Sequence, residues 1–189
     1  MTVTVYLVRH ATPDWARTDL RYDIPPGPPL TARGEEEAAQ LGAFFRQAGV
    51  QRVYASPLER ARRTAELAAA IAEADVSEEP AIAEWVRGES EVAVLERFLP
   101  LWAAACMESE ESGAVALVTH GGPIRLLLEH LKLDRAEIDF YRKQFDRDNP
   151  LPPAGVWQIT RTHPDAAWRI ELVFAPQPFR RYEPATIFV

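Results

Sequence analysis

The chain has 189 residues and a mass of 21.2 kDa, the span of one domain, taken here as residues 1–189. It is 47% apolar and 26% charged, which excludes collagen-like and broadly disordered chains. Lys plus Arg is 21 against 28 Asp plus Glu, a formal charge of −7. That balance argues against nucleic acid or an anionic membrane as partner, yet permits a small anion where cations cluster locally. Only Lys132 and Lys143 are lysines, so the positive charge is almost all arginine, which suits bidentate phosphate recognition. Cys106 is the sole cysteine, so no internal disulfide can form. The first ten residues lack a basic flank before their apolar run, and Phe98 to Met107 is too short to span a bilayer. A cytoplasmic protein is expected.

Thr2 to Val8 is β-branched and aromatic and reads as a strand that ends in Arg9-His10. A long loop from Ala11 to Pro29 follows; loops of that length are usually functional or mobile. Thr31 can cap a helix to about Ala48, with Gly49 as its stop. Gln51 to Ala55 is a second strand. Ser56-Pro57-Leu58-Glu59 then reads as a helix start, with Ser56 as cap and Glu59 closing a capping box, and the helix runs to about Ala74. Arg60 falls in its first turn. Val76 to Ala83 is ambiguous. Glu91 to Met107 reads as an amphipathic helix with the stripe Val92, Leu95, Leu99, Trp102 and Cys106. Ala114 to Thr119 has the continuous apolar pattern of a strand buried on both faces, and it ends in His120-Gly121-Gly122. Helices are expected from Pro123 to about Leu131 and from Asp134 to about Phe145. Val156 to Arg161 and Trp168 to Phe174 read as a hairpin, and the tail after Ala175 ends apolar enough to dock.

Strands alternating with helices predict an α/β three-layer sandwich: a mainly parallel central sheet, helices on both faces and an antiparallel edge hairpin. In such a sheet the junctions after the strands gather at the carboxyl edge, where ligands bind. Arg9 and His10, Ser56 and Arg60, and His120 with Gly121 therefore converge. Two histidines, two arginines and two helix N-termini at one point suit a phosphoryl group. Arginine forks match its oxygens, one neutral imidazole can attack phosphorus, a protonated one can donate, and the glycines let backbone approach. No metal ligand spacing of the His-Glu-x-x-His kind is present, and no cofactor is implied.

Four blocks occur in order: Leu7-Val8-Arg9-His10-Ala11, Pro29-Leu30-Thr31-Ala32-Arg33-Gly34, Tyr54 to Ala65 (YASPLERARRTA) and Val118-Thr119-His120-Gly121-Gly122-Pro123-Ile124-Arg125. Together they resemble the signature of the histidine phosphatase superfamily, the phosphoglycerate mutase-like proteins. The resemblance spans the chain to about Leu131. It implies metal-free hydrolysis of a small-molecule phosphate ester by a ping-pong route. His10 takes the phosphoryl group, while Arg9, Arg60 and His120 hold its oxygens. A carboxylic acid protonates the leaving oxygen and then activates water. Glu84, ahead of Gly88-Glu89, matches that acid, with Asp14 as the substitute. Ser56 is a helix cap or a phosphate contact. Trp15, Trp85, Arg17 and Arg21 are candidates for the leaving-group pocket.

The chain departs from the family pattern at Ala11 and Thr12, where Gly and Glu or Gln are usual, and at Ala16, where a phosphate-contacting Asn is frequent. A lost neutral donor can cost about 10²-fold unless Arg17 or Thr12 replaces it. Two rival readings follow: a phosphoglycerate mutase-type phosphotransferase, and a catalytically silent phospho-ligand-binding module.

Overall fold

The computed structural model describes residues 2–145 and 149–179. Among these residues, six strands form one sheet: β1 (Val3–Arg9), β2 (Arg52–Ala55), β3 (Asp75–Glu78), β4 (Val115–Thr119), β5 (Val156–Arg161) and β6 (Arg169–Phe174). Their order is β3-β2-β4-β1-β5-β6. β1 to β4 are mutually parallel, while β5 runs antiparallel to β1 and β6 antiparallel to β5. The expected parallel core with an antiparallel edge pair is therefore present.

Among the described residues, five helices cover the two faces: α1 (Ala32–Ala48), α2 (Glu59–Ala72), α3 (Glu91–Ser112), α4 (Gly121–His130) and α5 (Arg135–Gln144). Alternation along the strands divides the core in two. Tyr6, Val8, Val53, Ala116 and Val118 meet Ala38, Leu41 and Phe45 of α1 and Ala61, Ala65 and Ala68 of α2. Val5, Leu7, Val115 and Leu117 meet Phe98 and Trp102 of α3, Ile124 and Leu127 of α4, and Ile138 of α5. Each fully buried aliphatic side chain contributes about 1.5–3 kcal/mol to this packing.

Local signals hold where they rest on backbone chemistry. The Thr31 side chain accepts from Gly34 N, and Gly49 closes α1 at φ 69°. Asp134 caps α5 through Ala136 N. Two expectations are corrected. The capping box at Ser56 does not form: α2 begins at Glu59 with Leu58 as N-cap and no side-chain cap bond. Ser56 Oγ accepts only a 3.3 Å bond from Leu58 N and lies 2.7 Å from His120 Nε2. The stripe of α3 also has another phase. Val94, Phe98, Trp102, Ala105 and Cys106 are buried, whereas Val92 is 63% exposed. The uninterrupted apolar run from Phe98 to Met107 offers more than one stripe, and the partner it meets, here the sheet face under Leu7 and Leu117, selects which is buried.

The ambiguous stretch resolves into the short edge strand β3 and a 3-10 turn over Pro80–Ile82. Beyond β6, Gln177 exchanges two hydrogen bonds with Gln40 of α1, at 2.8 and 2.9 Å, so the chain docks there. Residues 180–189, the rest of the tail expected to dock, lie outside the described residues. No helix among the described residues is long and apolar enough to cross a membrane.

Candidate active site

Strand register brings the chemistry together. Arg9 stands beside Thr119 and Ala55 beside Val118, so β1, β2 and β4 end at one level. His10 N donates to Thr119 O at 2.9 Å and Ser56 N to Val118 O at 3.0 Å, which carries the alignment one residue past each strand. Glu84 arrives by the route after β3 and its 3-10 turn. All four parallel strands thus deliver residues to the same edge.

His10 is buried, with 1% of its surface exposed. Its Nδ1 lies 2.8 Å from Ala11 O, which can only accept, so Nδ1 carries the proton and Nε2 the lone pair. The imidazole of His120 lies 5.2 Å away, centroid to centroid. Its Nδ1 accepts from Arg60 Nη2 at 3.1 Å, and its Nε2 donates to Ser56 Oγ. Arg60, fully buried on the first turn of α2, also reaches Glu84 Oε2 at 3.2 Å and Tyr22 O at 2.8 Å. Glu84 Oε2 is 3.4 Å from His120 Nδ1, and Glu84 Oε1 accepts from Trp85 N at 2.9 Å. Arg9 Nη1 donates to Leu151 O at 3.1 Å.

Electrostatics follow from this burial. His10 is held well below its ordinary value of 6.5, first by burial and then by the Arg60 and Arg9 cations. His120 is lowered in the same way, with burial again the largest cause. Burial raises the Glu84 carboxyl above 4.5, outweighing the Trp85 N–H and Arg60. A neutral imidazole with its lone pair on Nε2, a carboxyl that keeps its proton longer than usual and two arginines form a site matched to nucleophilic attack at an anionic centre.

The start of α4 completes the wall. A Cβ on Gly121 would overlap the side chain of Asn149. One on Gly122 would stand 3.6 Å from Glu84 Oε1 and 3.5 Å from the Trp85 ring. Glycine at 121 lets the helix N-terminus pack against Asn149, whereas a Cβ at 122 would make only ordinary contact with Glu84 and Trp85.

Other candidates stand apart. Thr12 gives its N–H and hydroxyl to the Glu37 carboxylate at 2.8 and 2.9 Å. Arg21 is exposed and pairs with Asp23, and Arg17 pairs with Asp19. Asp14 accepts from Ala16 N within its own turn. Trp85 by contrast borders the site, with its backbone N–H on Glu84 Oε1 and its indole N–H on Glu89 O at 2.7 Å.

Sequence reasoning passed over Tyr22. Its hydroxyl is 3.2 Å from His10 Nε2, and its ring lies 3.7 Å from the Arg60 guanidinium carbon and 5.1 Å from the stacked Trp15 ring. Only its place in the long loop after His10 offered a signal. Among the described residues, no group of three or more His, Cys, Asp or Glu is arranged to hold a metal ion.

Residues 5–91 and 83–149 match the family model of the histidine phosphatase superfamily, branch 1. The chain belongs to that superfamily. Among curated relatives of this superfamily member, the probable phosphoglycerate mutase GpmB of Citrobacter koseri is 40% identical over 73 residues, covering 39% of this chain and 34% of the relative. Its counterpart in Escherichia fergusonii is 36% identical over 80 residues, covering 42% and 37%. The matched part thus spans little more than a third of the length of these relatives.

Among solved structures, a mycobacterial glucosyl-3-phosphoglycerate phosphatase superposes with a TM-score of 0.68 at 20% identity, covering 91% of this chain and 98% of that one. A phosphoglycerate mutase from Bacillus anthracis gives 0.71 at 17%, covering 91% and 92%. At such identities the likeness concerns the fold, and the phosphoglycerate mutase-like sandwich is the fold of this chain.

Proposed function

We propose that this histidine phosphatase superfamily member hydrolyses a small-molecule phosphomonoester through a phosphohistidine on His10, with no metal in the reaction. The observation that carries the reading is the state of His10. Its Nδ1 proton is committed to Ala11 O, and burial and two cations keep the ring neutral, so Nε2 is a base-form nucleophile among phosphate-matching donors.

In the first step Nε2 attacks phosphorus, the bond from phosphorus to the ester oxygen breaks, and Glu84 gives its proton to the leaving oxygen. Arg9 and Arg60 meet the charge on the phosphoryl oxygens, with Gly121 at the helix N-terminus as a further donor. His120 joins them by taking on Nδ1 the proton that a phosphate monoanion brings and returning it as a hydrogen bond to that oxygen. In the second step Glu84, now a carboxylate, takes a proton from water as that water attacks phosphorus. The bond from Nε2 to phosphorus breaks, and phosphate leaves. Ser56, hydrogen-bonded to His120, supports the site by orienting that ring, while Thr12 and Arg21 serve the loop that surrounds it.

The test is hydrolysis of phenyl phosphate with chelator present, wild type beside His10→Ala. Activity in wild type alone is expected. Equal activity in both would remove His10 as nucleophile, and activity in neither would favour a binding module. The names of the curated relatives favour a second reading, mutase chemistry. Phosphoryl exchange between phosphoglycerates that outpaces phosphate release would select it.

A further inference from the structure

The segment from Ala81 to Glu89 carries Glu84, yet beyond Ile82 it belongs to no helix or strand. Its shape is set from outside by one residue of α3. Arg97 Nη1 donates to Ala81 O at 2.7 Å and Nη2 to Glu84 O at 3.1 Å. The same guanidinium makes a two-pronged ion pair with Glu89, Nε to Oε1 at 2.7 Å and Nη2 to Oε2 at 3.1 Å. One planar fork therefore grips the segment before, at and after Glu84.

Glu89 adds the second half. Its Oε2 accepts from Val86 N at 3.2 Å, and its carbonyl accepts the Trp85 indole N–H. On the other side, Thr119 Oγ1 donates to Ile82 O at 2.6 Å and ties the segment to the end of β4. Arg97 is three-quarters buried and Glu89 more so, which limits competition from water. The planar guanidinium fixes direction as well as distance, which a lysine ammonium does not.

We propose that Arg97 and Glu89 are positioning residues that hold the Glu84 carboxyl where it can pass its proton to the leaving oxygen. The inference rests on the reading of Glu84 as the acid. Proton transfer needs an approach of about 2.6–3.2 Å, and a misplacement of about 1 Å can cost on the order of 10²-fold. A segment without backbone periodicity has no ladder of its own to supply that accuracy. The Arg97–Glu89 fork supplies it from a rigid helix.

The test separates positioning from plain stabilisation through the leaving group. A 4-nitrophenolate departs with little help, whereas phenolate, with a pKa of about 10 like tyrosine, needs the proton. Wild type, Glu84→Gln, Arg97→Lys and Glu89→Gln are assayed on 4-nitrophenyl and phenyl phosphate, with thermal melts confirming that each is folded.

The expected result is that all three variants lose at least about 10-fold more kcat/KM, which reports only the steps up to departure of the leaving group, on phenyl than on 4-nitrophenyl phosphate. Adding Arg97→Lys to Glu84→Gln should cost little more, because both act on one proton transfer. If Glu84→Gln shows this bias while Arg97→Lys and Glu89→Gln reduce both esters equally or neither, the positioning role is wrong and the acid assignment stands. If Glu84→Gln shows no bias, the acid assignment fails and the positioning role with it. Hydrolysis of neither ester by wild type overturns both.

Discussion

The phenol oxygen of Tyr22 stands 3.2 Å from Nε2 of His10, the nitrogen proposed to attack phosphorus. Since His10 Nδ1–H is given to Ala11 O, Nε2 is the acceptor and the phenol the donor. The ring is held in place by Trp15 on one contact and the Arg60 guanidinium on another. Substrate must therefore displace this hydroxyl before the lone pair can act. Tyr22→Phe keeps the ring contacts and removes the hydrogen bond, whose net worth is about 0.5–1.5 kcal/mol. His10 should then react about 2–10-fold faster with diethyl pyrocarbonate, followed by mass spectrometry of its peptide. An unchanged rate would show that the phenol does not restrain the nucleophile.

The pH dependence of kcat/KM should follow the two opposed shifts. His10 lies well below 6.5, so its basic form persists as pH falls through that value. Glu84 lies above 4.5, so its acid form persists to higher pH than usual. After correction for ionisation of the substrate, activity on phenyl phosphate should hold through pH 6.5 on the acid side. It should decline on the alkaline side as Glu84 loses its proton, and Glu84→Gln should abolish that alkaline limb. An acid limb centred at 6.5 would contradict the assignment of His10.

Stability should respond to the same histidines. Both His10 and His120 have folded-state values below the 6.5 of the unfolded chain. The unfolded state therefore binds their protons first as pH falls. Their stabilising contribution is complete above 6.5 and is lost as pH drops through 6.5 toward the folded values. Urea midpoints measured from about pH 8 down to about pH 5 should fall, and the His10→Asn, His120→Asn double variant should flatten the curve. Glu84, raised by burial, acts in the opposite sense as pH rises from 4.5 toward its folded value, since its ionisation in the folded state is the costly event.

Gly34→Ala tests the join between α1 and the loop after His10. A Cβ at this position would overlap the backbone carbonyl of Thr12, and backbone cannot turn aside as a side chain can. Thr12 is also tied to Glu37 on the same helix. The substitution should cost about 1–3 kcal/mol, read from urea unfolding. A neutral result would show that α1 can shift freely against the loop.

Local pattern determined much of this molecule. The β-branched runs of β1 and β4, the caps Thr31 and Asp134, and the stop at Gly49 act within a few residues, so sequence reads them directly. Strand alternation with helices determined the parallel core, and the residues just after each strand determined where Arg9, His10, Arg60 and His120 would gather. Contacts between distant segments were decided only by the tertiary structure. The order of the sheet inserts β4 between β1 and β2, which no local signal specifies. The phase of α3 came from the sheet it meets, and Ser56 gave up its expected cap for the ring of His120, 64 residues away. Tyr22 over His10 and Arg97 across the Glu84 segment arise in the same way: a side chain's partner depends on where two separate backbones are brought together, and that is a property of the folded chain.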